Sequence, residues 1–174
     1  MANSQVVSLL NKQLANWSVL YVKLHHFHWY VKGTGFFVLH EKFEDLYDKA
    51  ADYIDDLAER ALALKGKPLS TMQAFLENAS VKEAGNEQTA QEMVQSLLQD
   101  LETVISETKD AMKQAEQQDD EGTADMFLGI VKDMEKQAWF FRSYLEEGQG
   151  QSRTNPAPRP VYYGGRKPNI GSQQ

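Results

Sequence analysis

Histidine and carboxylate side chains are concentrated in one stretch of the chain, between residues 25 and 59. All four histidines of the chain lie in it, and the carboxylate pair Asp55-x-x-x-Glu59 closes it. Imidazole and carboxylate groups together suit iron, zinc or manganese. Groups three or four residues apart share one face of a helix. The stretch therefore predicts a metal site.

Four of these side chains share a helical face but cannot bind one ion within a single helix. At about 100° per residue, His40, Glu44, Asp55 and Glu59 fall within an arc of roughly 100°, yet His40 and Asp55 are separated by about 22 Å along the axis. His40 and Glu59 lie equally far from the midpoint between residues 49 and 50, and so do Glu44 and Asp55. We therefore predict that two copies of this helix cross antiparallel at that midpoint.

Such a crossing would set Glu44 against Asp55 of the partner subunit and bring His40 towards Glu59 of the partner subunit. The small residues Ala50 and Ala51 would permit a close approach of the helices. A two-fold axis generates two equivalent sites, and His28, late in the preceding helix, would add a second imidazole to each. Ordinary roles stay open for the same residues. Acidic residues on a helix face are usually solvated or paired with a nearby base, and His40 lies among Phe residues as a core histidine does.

The elements that must position these residues are helices. Apolar residues recurring every three or four positions predict helices over 4–32, 36–64, about 70–78, from Thr89 to a break at 119–122, and from about Thr123 to a stop at Gly148. Four long helices, with one short helix in the connection between the second and third, predict an all-α four-helix bundle. The domain is predicted to span 1–148, followed by a disordered tail over 149–174 that is rich in Pro, Gly and Arg.

Composition narrows the functional classes. The chain has no cysteine, which excludes disulfides, thiol catalysis and iron–sulfur clusters and fits a cytoplasmic protein. No apolar run is long enough for a membrane span, and no leader pattern is visible. The tail has four basic residues and no acid, so the net charge of −7 leaves −11 for residues 1–148. Only the tail is expected to attract nucleic acid.

The motif that runs through the histidine-rich stretch resembles the Dps family, the ferritin-like DNA-binding proteins from starved cells, and especially its small Bacillus-type members. It reads His28-Trp29-Tyr30-Val31-x-Gly33-x-x-Phe36-x-x-Leu39-His40-x-x-Phe43-Glu44-x-x-Tyr47-Asp48, followed by Asp55-x-x-Ala58-Glu59-Arg60. No Glu-x-x-His motif, which intrachain di-iron bundles use, occurs in the chain. The resemblance covers about residues 4 to 147 and implies a ferritin-like bundle.

The resemblance also implies a hollow homododecamer with ferroxidase sites between two-fold related subunits. His28, His40 and Glu44 would come from one chain, and Asp55 and Glu59 from its partner. Fe²⁺ would be oxidised to Fe³⁺, with hydrogen peroxide as the oxidant, and stored as ferric mineral. Trp29 would be an oxidisable aromatic residue near the iron, or an interface packing residue. Asp120 and Asp125 match acidic residues of the family's iron-uptake pores, although from the sequence alone they mark a helix N-terminus favoured by the macrodipole.

Two other functional classes remain open. A nucleoid-associated, DNA-compacting protein would act through the tails, with Arg153, Arg159, Arg166 and Lys167 as the candidate DNA contacts. A structural or regulatory zinc protein would use the same histidines and carboxylates, and Zn²⁺ could also occupy the site as an inhibitor.

Overall fold

The computed structural model describes residues 2–150, and it describes their side chains from residue 4 to residue 146. Within that part of the chain the secondary structure consists of five helices: α1 (Ala2–Tyr30), α2 (Phe36–Ala63), α3 (Met72–Asn78), α4 (Ala90–Glu116) and α5 (Glu121–Gly150). The hairpin of α1 and α2 packs beside the hairpin of α4 and α5. The predicted four-helix bundle with a short helix between its second and third long helices is confirmed.

The turn between α1 and α2 depends on two glycines. Gly33 and Gly35 both have φ of 86°, in the left-handed region that glycine adopts without steric cost. The backbone amide of Phe36 donates to the Gly33 carbonyl, and that of Leu39 donates to the Gly35 carbonyl. A Cβ atom on Gly35 would lie 3.3 Å from the Tyr144 hydroxyl of α5. This tight reversal sets the end of α1 against the start of α2.

The connection between α2 and α4 is fixed to α1 by polar contacts. The Thr71 hydroxyl caps α3 by accepting from the amide of Ala74. Lys12 donates to the Asn78 carbonyl at 2.7 Å, and the amide of Ser80 donates to Asn16 Oδ1 at 2.7 Å. Thr89 then opens α4 with the capping box predicted from Thr89-x-x-Glu92. These contacts hold the crossover along the bundle.

The core lies between the four long helices and consists mainly of Leu, Val, Ala and Phe. Three phenylalanines join the elements at the end of the bundle that carries the α1–α2 turn. The Phe27 and Phe43 rings are 5.7 Å apart, and the Phe43 and Phe141 rings are 6.2 Å apart. Other fully buried side chains are Leu10, Leu14, Trp17, Leu20, Leu24, Leu39, Leu46, Leu57, Met93, Leu97, Leu101 and Met134.

Three details differ from the sequence predictions. Helix α5 continues through Gly148 to Gly150, because an isolated glycine weakens a helix without obliging it to end. Gly122 lies within the first turn of α5, and the break falls at residues 117–120, where Asp119 has a left-handed φ of 56°. Ala50 is fully buried within its own subunit, so of the two alanines only Ala51 is exposed for a helix crossing. No helix among residues 2–150 is long and apolar enough to cross a membrane.

Candidate metal centre

The centre is built on two imidazoles that face each other across the α1–α2 hairpin. The His28 and His40 rings are nearly parallel, with centroids 3.7 Å apart. His28 Nδ1 lies 2.8 Å from the carbonyl oxygen of His40, and His40 Nδ1 lies 2.9 Å from the carbonyl oxygen of His28. Each histidine therefore binds the backbone of the other, and both rings are half-buried.

These reciprocal hydrogen bonds determine the tautomer of both rings. A carbonyl oxygen can only accept, so Nδ1 must carry the proton in His28 and in His40. The neutral ring then keeps the lone pair of Nε2 free for a ligand. Metal-binding histidines commonly donate their other ring N–H to a carbonyl or carboxylate, which fixes the ring orientation and makes the ligand nitrogen more basic. The pair is thus oriented so that Nε2 is the nitrogen available to a divalent cation.

Glu44 completes a group of three candidate ligands within one chain. It lies one helical turn after His40 on α2 and is exposed. One ligand atom each from His28, His40 and Glu44 can be chosen so that all three lie within 4.8 Å of one another. Two nitrogens and one carboxylate oxygen at this separation fit Fe²⁺, Zn²⁺ or Mn²⁺ and leave coordination positions open.

The other predicted ligands, Asp55 and Glu59, lie far along α2 from this group. Both are exposed, and the rise of the helix places Asp55 about 22 Å from His40. In the described part of the chain, the group of possible metal ligands consists of His28, His40 and Glu44 and does not include Asp55 or Glu59. A single subunit therefore brings together three of the five predicted ligands, and the contribution of Asp55 and Glu59 from a partner remains a prediction.

Aromatic side chains lie on one side of the imidazole pair. The Tyr47 ring stands edge-on to His28 at 5.4 Å and stacks on His25 at 3.8 Å. Burial, followed by the charge of Glu44, raises the pKa of Tyr47, which keeps its phenol protonated. Trp29 is 68% exposed, and its ring lies 5.4 Å from that of His25. Its predicted role as an oxidisable residue therefore stays a prediction.

Sequence reasoning did not single out Tyr47 or the role of His25. The signal for Tyr47 was its spacing, three residues after Glu44 and seven after His40, which puts it on the same helical face. His25 has a structural role, because its Nδ1 donates to the Tyr21 carbonyl at 2.8 Å and its ring stacks on Tyr47.

The two predicted pore residues have different surroundings. Asp120 accepts hydrogen bonds from the amide and hydroxyl of Thr123 and from Arg60. It therefore caps the N-terminus of α5, which is the role that the sequence alone indicated for this segment. Asp125 is exposed and lines a groove of about 530 Å³ between α2 and α5, together with Tyr53, Asp56 and Asp133. The four basic tail residues lie outside the described part of the chain.

Comparison with known proteins agrees with this fold. The model of the ferritin-like domain matches residues 7–150. DNA protection during starvation protein 2 of Bacillus anthracis is 51% identical over 145 residues, covering 83% of this chain and 99% of the relative.

Two solved structures show the same similarity in three dimensions. The crystal structure of a Dps protein from Bacillus brevis is 49% identical with a TM-score of 0.81, and the match covers 83% of this chain and 97% of that one. Dps from Vibrio cholerae, described as a member of a broad superfamily of ferritin-like diiron-carboxylate proteins, is 30% identical with a TM-score of 0.80, covering 83% and 91%. From the fold, the metal-ligand group and these matches, we conclude that the chain belongs to the Dps family of ferritin-like proteins.

Proposed function

We propose that this protein is a ferroxidase that oxidises Fe²⁺ with hydrogen peroxide and stores the ferric product inside a dodecameric shell. The observation that carries the proposal is the convergence of His28, His40 and Glu44, with both imidazoles held in the tautomer that leaves Nε2 free. The family supports iron as the substrate, since the Vibrio cholerae relative is described as a diiron-carboxylate protein.

The proposed reaction takes one electron from each of two Fe²⁺ ions. The two electrons break the O–O bond of one H₂O₂ molecule, and two protons complete two water molecules. The imidazoles give affinity for Fe²⁺, while carboxylate oxygens favour the harder Fe³⁺ and so favour loss of the electron. Consuming Fe²⁺ and peroxide together would suppress hydroxyl radical formation and protect DNA without a DNA contact.

The proposed site is shared between two subunits. His28, His40 and Glu44 lie at the first half of α2, and the exposed carboxylates of Asp55 and Glu59 lie at its second half. If two α2 helices run antiparallel, the first half of one helix faces the second half of the other. The two-fold axis would then supply Asp55 and Glu59 of the partner subunit to each group of His28, His40 and Glu44, and would make two sites per dimer.

A mixed-subunit experiment tests the shared site directly. One chain carries His28→Ala and His40→Ala, and the other carries Asp55→Ala and Glu59→Ala. Each protein alone should lack fast Fe²⁺ oxidation. After the two are unfolded and refolded together, every mixed dimer would regain one intact site, so about a quarter of all sites should be active if pairing is random.

The control is the same pair of proteins mixed without unfolding, which should stay inactive. Rates are followed by the ferric absorbance after anaerobic Fe²⁺ loading and addition of peroxide, with the mass in solution checked in parallel. Failure of the refolded mixture to regain activity, while the refolded wild type does, would refute the shared site. A site complete within one chain predicts that outcome, because no mixed dimer would then contain an undamaged set of ligands.

A second candidate function is DNA compaction through the tails. The basic residues of 149–174 and the name of the Bacillus anthracis relative, which refers to DNA protection, favour it. Several tails of one shell could bind together where a single tail would be too weak. The test is a gel shift at low salt with the full chain and with a chain ending at Gly150. A shift that disappears on truncation supports tail-mediated binding, and no shift with either protein excludes it.

A further inference from the structure

Two large apolar side chains are exposed near opposite ends of α2. Phe37 is 84% exposed and Leu62 is 58% exposed. At about 100° per residue, both fall within about 20° of the exposed carboxylates of Glu44 and Asp55 around the helix. One outer face of α2 therefore has proposed metal ligands in its middle and an apolar residue near each end.

The two apolar residues are arranged symmetrically along α2. Phe37 and Leu62 lie equally far from the midpoint between residues 49 and 50, on which the proposed two-fold axis is centred. About 37 Å of helix separates them within one chain, so they cannot touch in a single subunit. In an antiparallel pair of α2 helices, Phe37 would lie opposite Leu62 of the partner subunit. This symmetry concerns apolar residues and is thus independent of the metal ligands.

The charges of α2 make a purely polar contact between two copies unfavourable. Every acidic residue of α2 is exposed. The basic residues of α2, which are Lys42, Lys49 and Arg60, each pair with an acid of the same subunit. The middle of the face therefore carries uncompensated negative charge, and two such faces repel each other in the absence of a cation. Attraction must come from other groups, and Phe37 and Leu62 are the large apolar side chains exposed on this face.

Phe37 also lies beside the imidazole pair. Its ring is 5.3 Å from that of Phe36, which in turn lies 5.0 Å from the ring of His40. A side chain that covers Phe37 would therefore also cover this side of the metal-ligand group. An apolar surround of this kind limits the access of water to a metal centre.

We propose that Phe37 packs against Leu62 of the partner subunit, and that this contact binds a second copy of the chain and closes the outer side of each shared metal site. The two-fold axis makes two such contacts, one beyond each site. The inference rests on the proposed function for the antiparallel pairing of α2. It adds two positioning residues that are not themselves metal ligands.

Thiol cross-linking tests the contact without any iron chemistry. The chain has no cysteine, so Phe37→Cys with Leu62→Cys introduces the only two thiols. Since these thiols are about 37 Å apart within one chain, a short bismaleimide can join them only between subunits. We expect covalent dimers on a denaturing gel. Each single-cysteine variant should stay monomeric there, because the two copies of either residue lie at opposite ends of the helix pair.

The matched control is Val38→Cys with Ala63→Cys. Both residues are exposed at the same two ends of α2, but they are turned by about 80–100° from the face that carries Phe37 and Leu62. This pair should give no covalent dimers. Equal cross-linking of the two pairs would overturn the inference, and so would a Phe37–Leu62 pair that assembles normally without cross-linking. Failure of that pair alone to assemble, with unchanged helix content, would support the contact.

Metal release tests whether the contact closes the site. Zn²⁺ fits the same ligand group, so Zn²⁺-loaded protein is mixed with a chromogenic chelator and the transfer is followed by absorbance. Leu62→Ala should release Zn²⁺ about threefold faster than the wild type. Leu62 is far from His40 in its own chain, so this effect must act on the partner subunit. Val38→Ala should release Zn²⁺ at the wild-type rate. Equal rates in Leu62→Ala and the wild type would contradict the closing role.

The contact and the proposed function can fail separately. Covalent dimers, together with a wild-type protein that does not oxidise Fe²⁺, would contradict the ferroxidase function and leave the contact standing. Rapid Fe²⁺ oxidation, together with an assembled Phe37–Leu62 pair that does not cross-link, would contradict the contact and leave iron oxidation standing.

Discussion

The two halves of α2 present the proposed metal ligands in different ways. In the first half, His40 is locked to His28 of α1 by reciprocal hydrogen bonds, and Glu44 lies beside the pair. In the second half, Asp55 and Glu59 are exposed, and it is their neighbour Arg60 that is tied to α5. The first half is ordered by its own subunit, whereas the second leaves its carboxylates free for a second subunit. The preorganised side chains and the exposed carboxylates thus lie at opposite ends of one helix.

The largest expected effect is loss of an imidazole from the first half. We expect His40→Ala to slow peroxide-dependent Fe²⁺ oxidation by more than about 100-fold, because it removes a ligand and also the hydrogen bond that orients His28. Stopped-flow ferric absorbance measures it. His26→Ala is the matched control on α1, since the His26 ring contacts Phe27 and Tyr30 rather than the centre. Equal losses in the two variants would remove the basis for assigning the centre.

Loss of the carboxylates from the second half should slow oxidation with almost no cost in stability. Asp55→Ala with Glu59→Ala removes exposed groups, and such changes usually shift stability by less than about 0.5 kcal/mol. We therefore expect slow oxidation with a nearly unchanged Tm, whereas His40→Ala should lose both rate and Tm. Calorimetry on the two proteins, with Asp52→Ala as the exposed control on the same helix, checks this. A drop in Tm without a drop in rate would contradict the division of α2 into two halves.

The turn that orders the first half should be sensitive to side chains on its glycines. Gly35→Ala would impose a left-handed conformation on alanine, which costs about 1–2 kcal/mol, and its Cβ would also crowd the Tyr144 hydroxyl. Gly33→Ala has the same positive φ but no atom within 4 Å of its Cβ, so it should cost less. Denaturant unfolding of the two variants measures the difference. Equal losses would show that backbone strain alone matters at this turn.

The smallest expected effect concerns how the ion pair between Arg60 and Asp120 depends on pH. The pKa of Asp120 is lowered in the folded protein, so the folded state favours the carboxylate. This contribution is present above the unfolded pKa of about 3.9 and is lost as pH falls through the lowered folded value. The Tm difference between wild type and Asp120→Asn should therefore be constant near neutral pH and vanish in acid. A difference that grows towards low pH would contradict the direction of the shift.

The sequence predicted the helices better than their ends, and one half of the centre better than the other. Periodic apolar residues and the Thr89 capping box located the long helices, because these signals are local. The helix ends predicted at Gly148 and Gly122 were wrong, since a helix tolerates glycine at a modest cost in stability. Spacing brought His40 and Glu44 together, but it cannot show that a side chain bonds to the backbone of another helix. The tautomers of His28 and His40 and the contact from Arg60 to Asp120 therefore required coordinates.

The reciprocal bonding of His28 and His40 has a consequence for how the centre can fail. Each ring is a prospective ligand and also donates a hydrogen bond to the backbone carbonyl of the other histidine, so a change in one ring also affects the other. Damage to one imidazole would leave its companion free to change tautomer and rotate, and would loosen the hairpin beneath it. Loss of metal affinity and local fraying are therefore expected as a single event, visible as faster amide hydrogen exchange at the end of α1 whenever iron binding is lost.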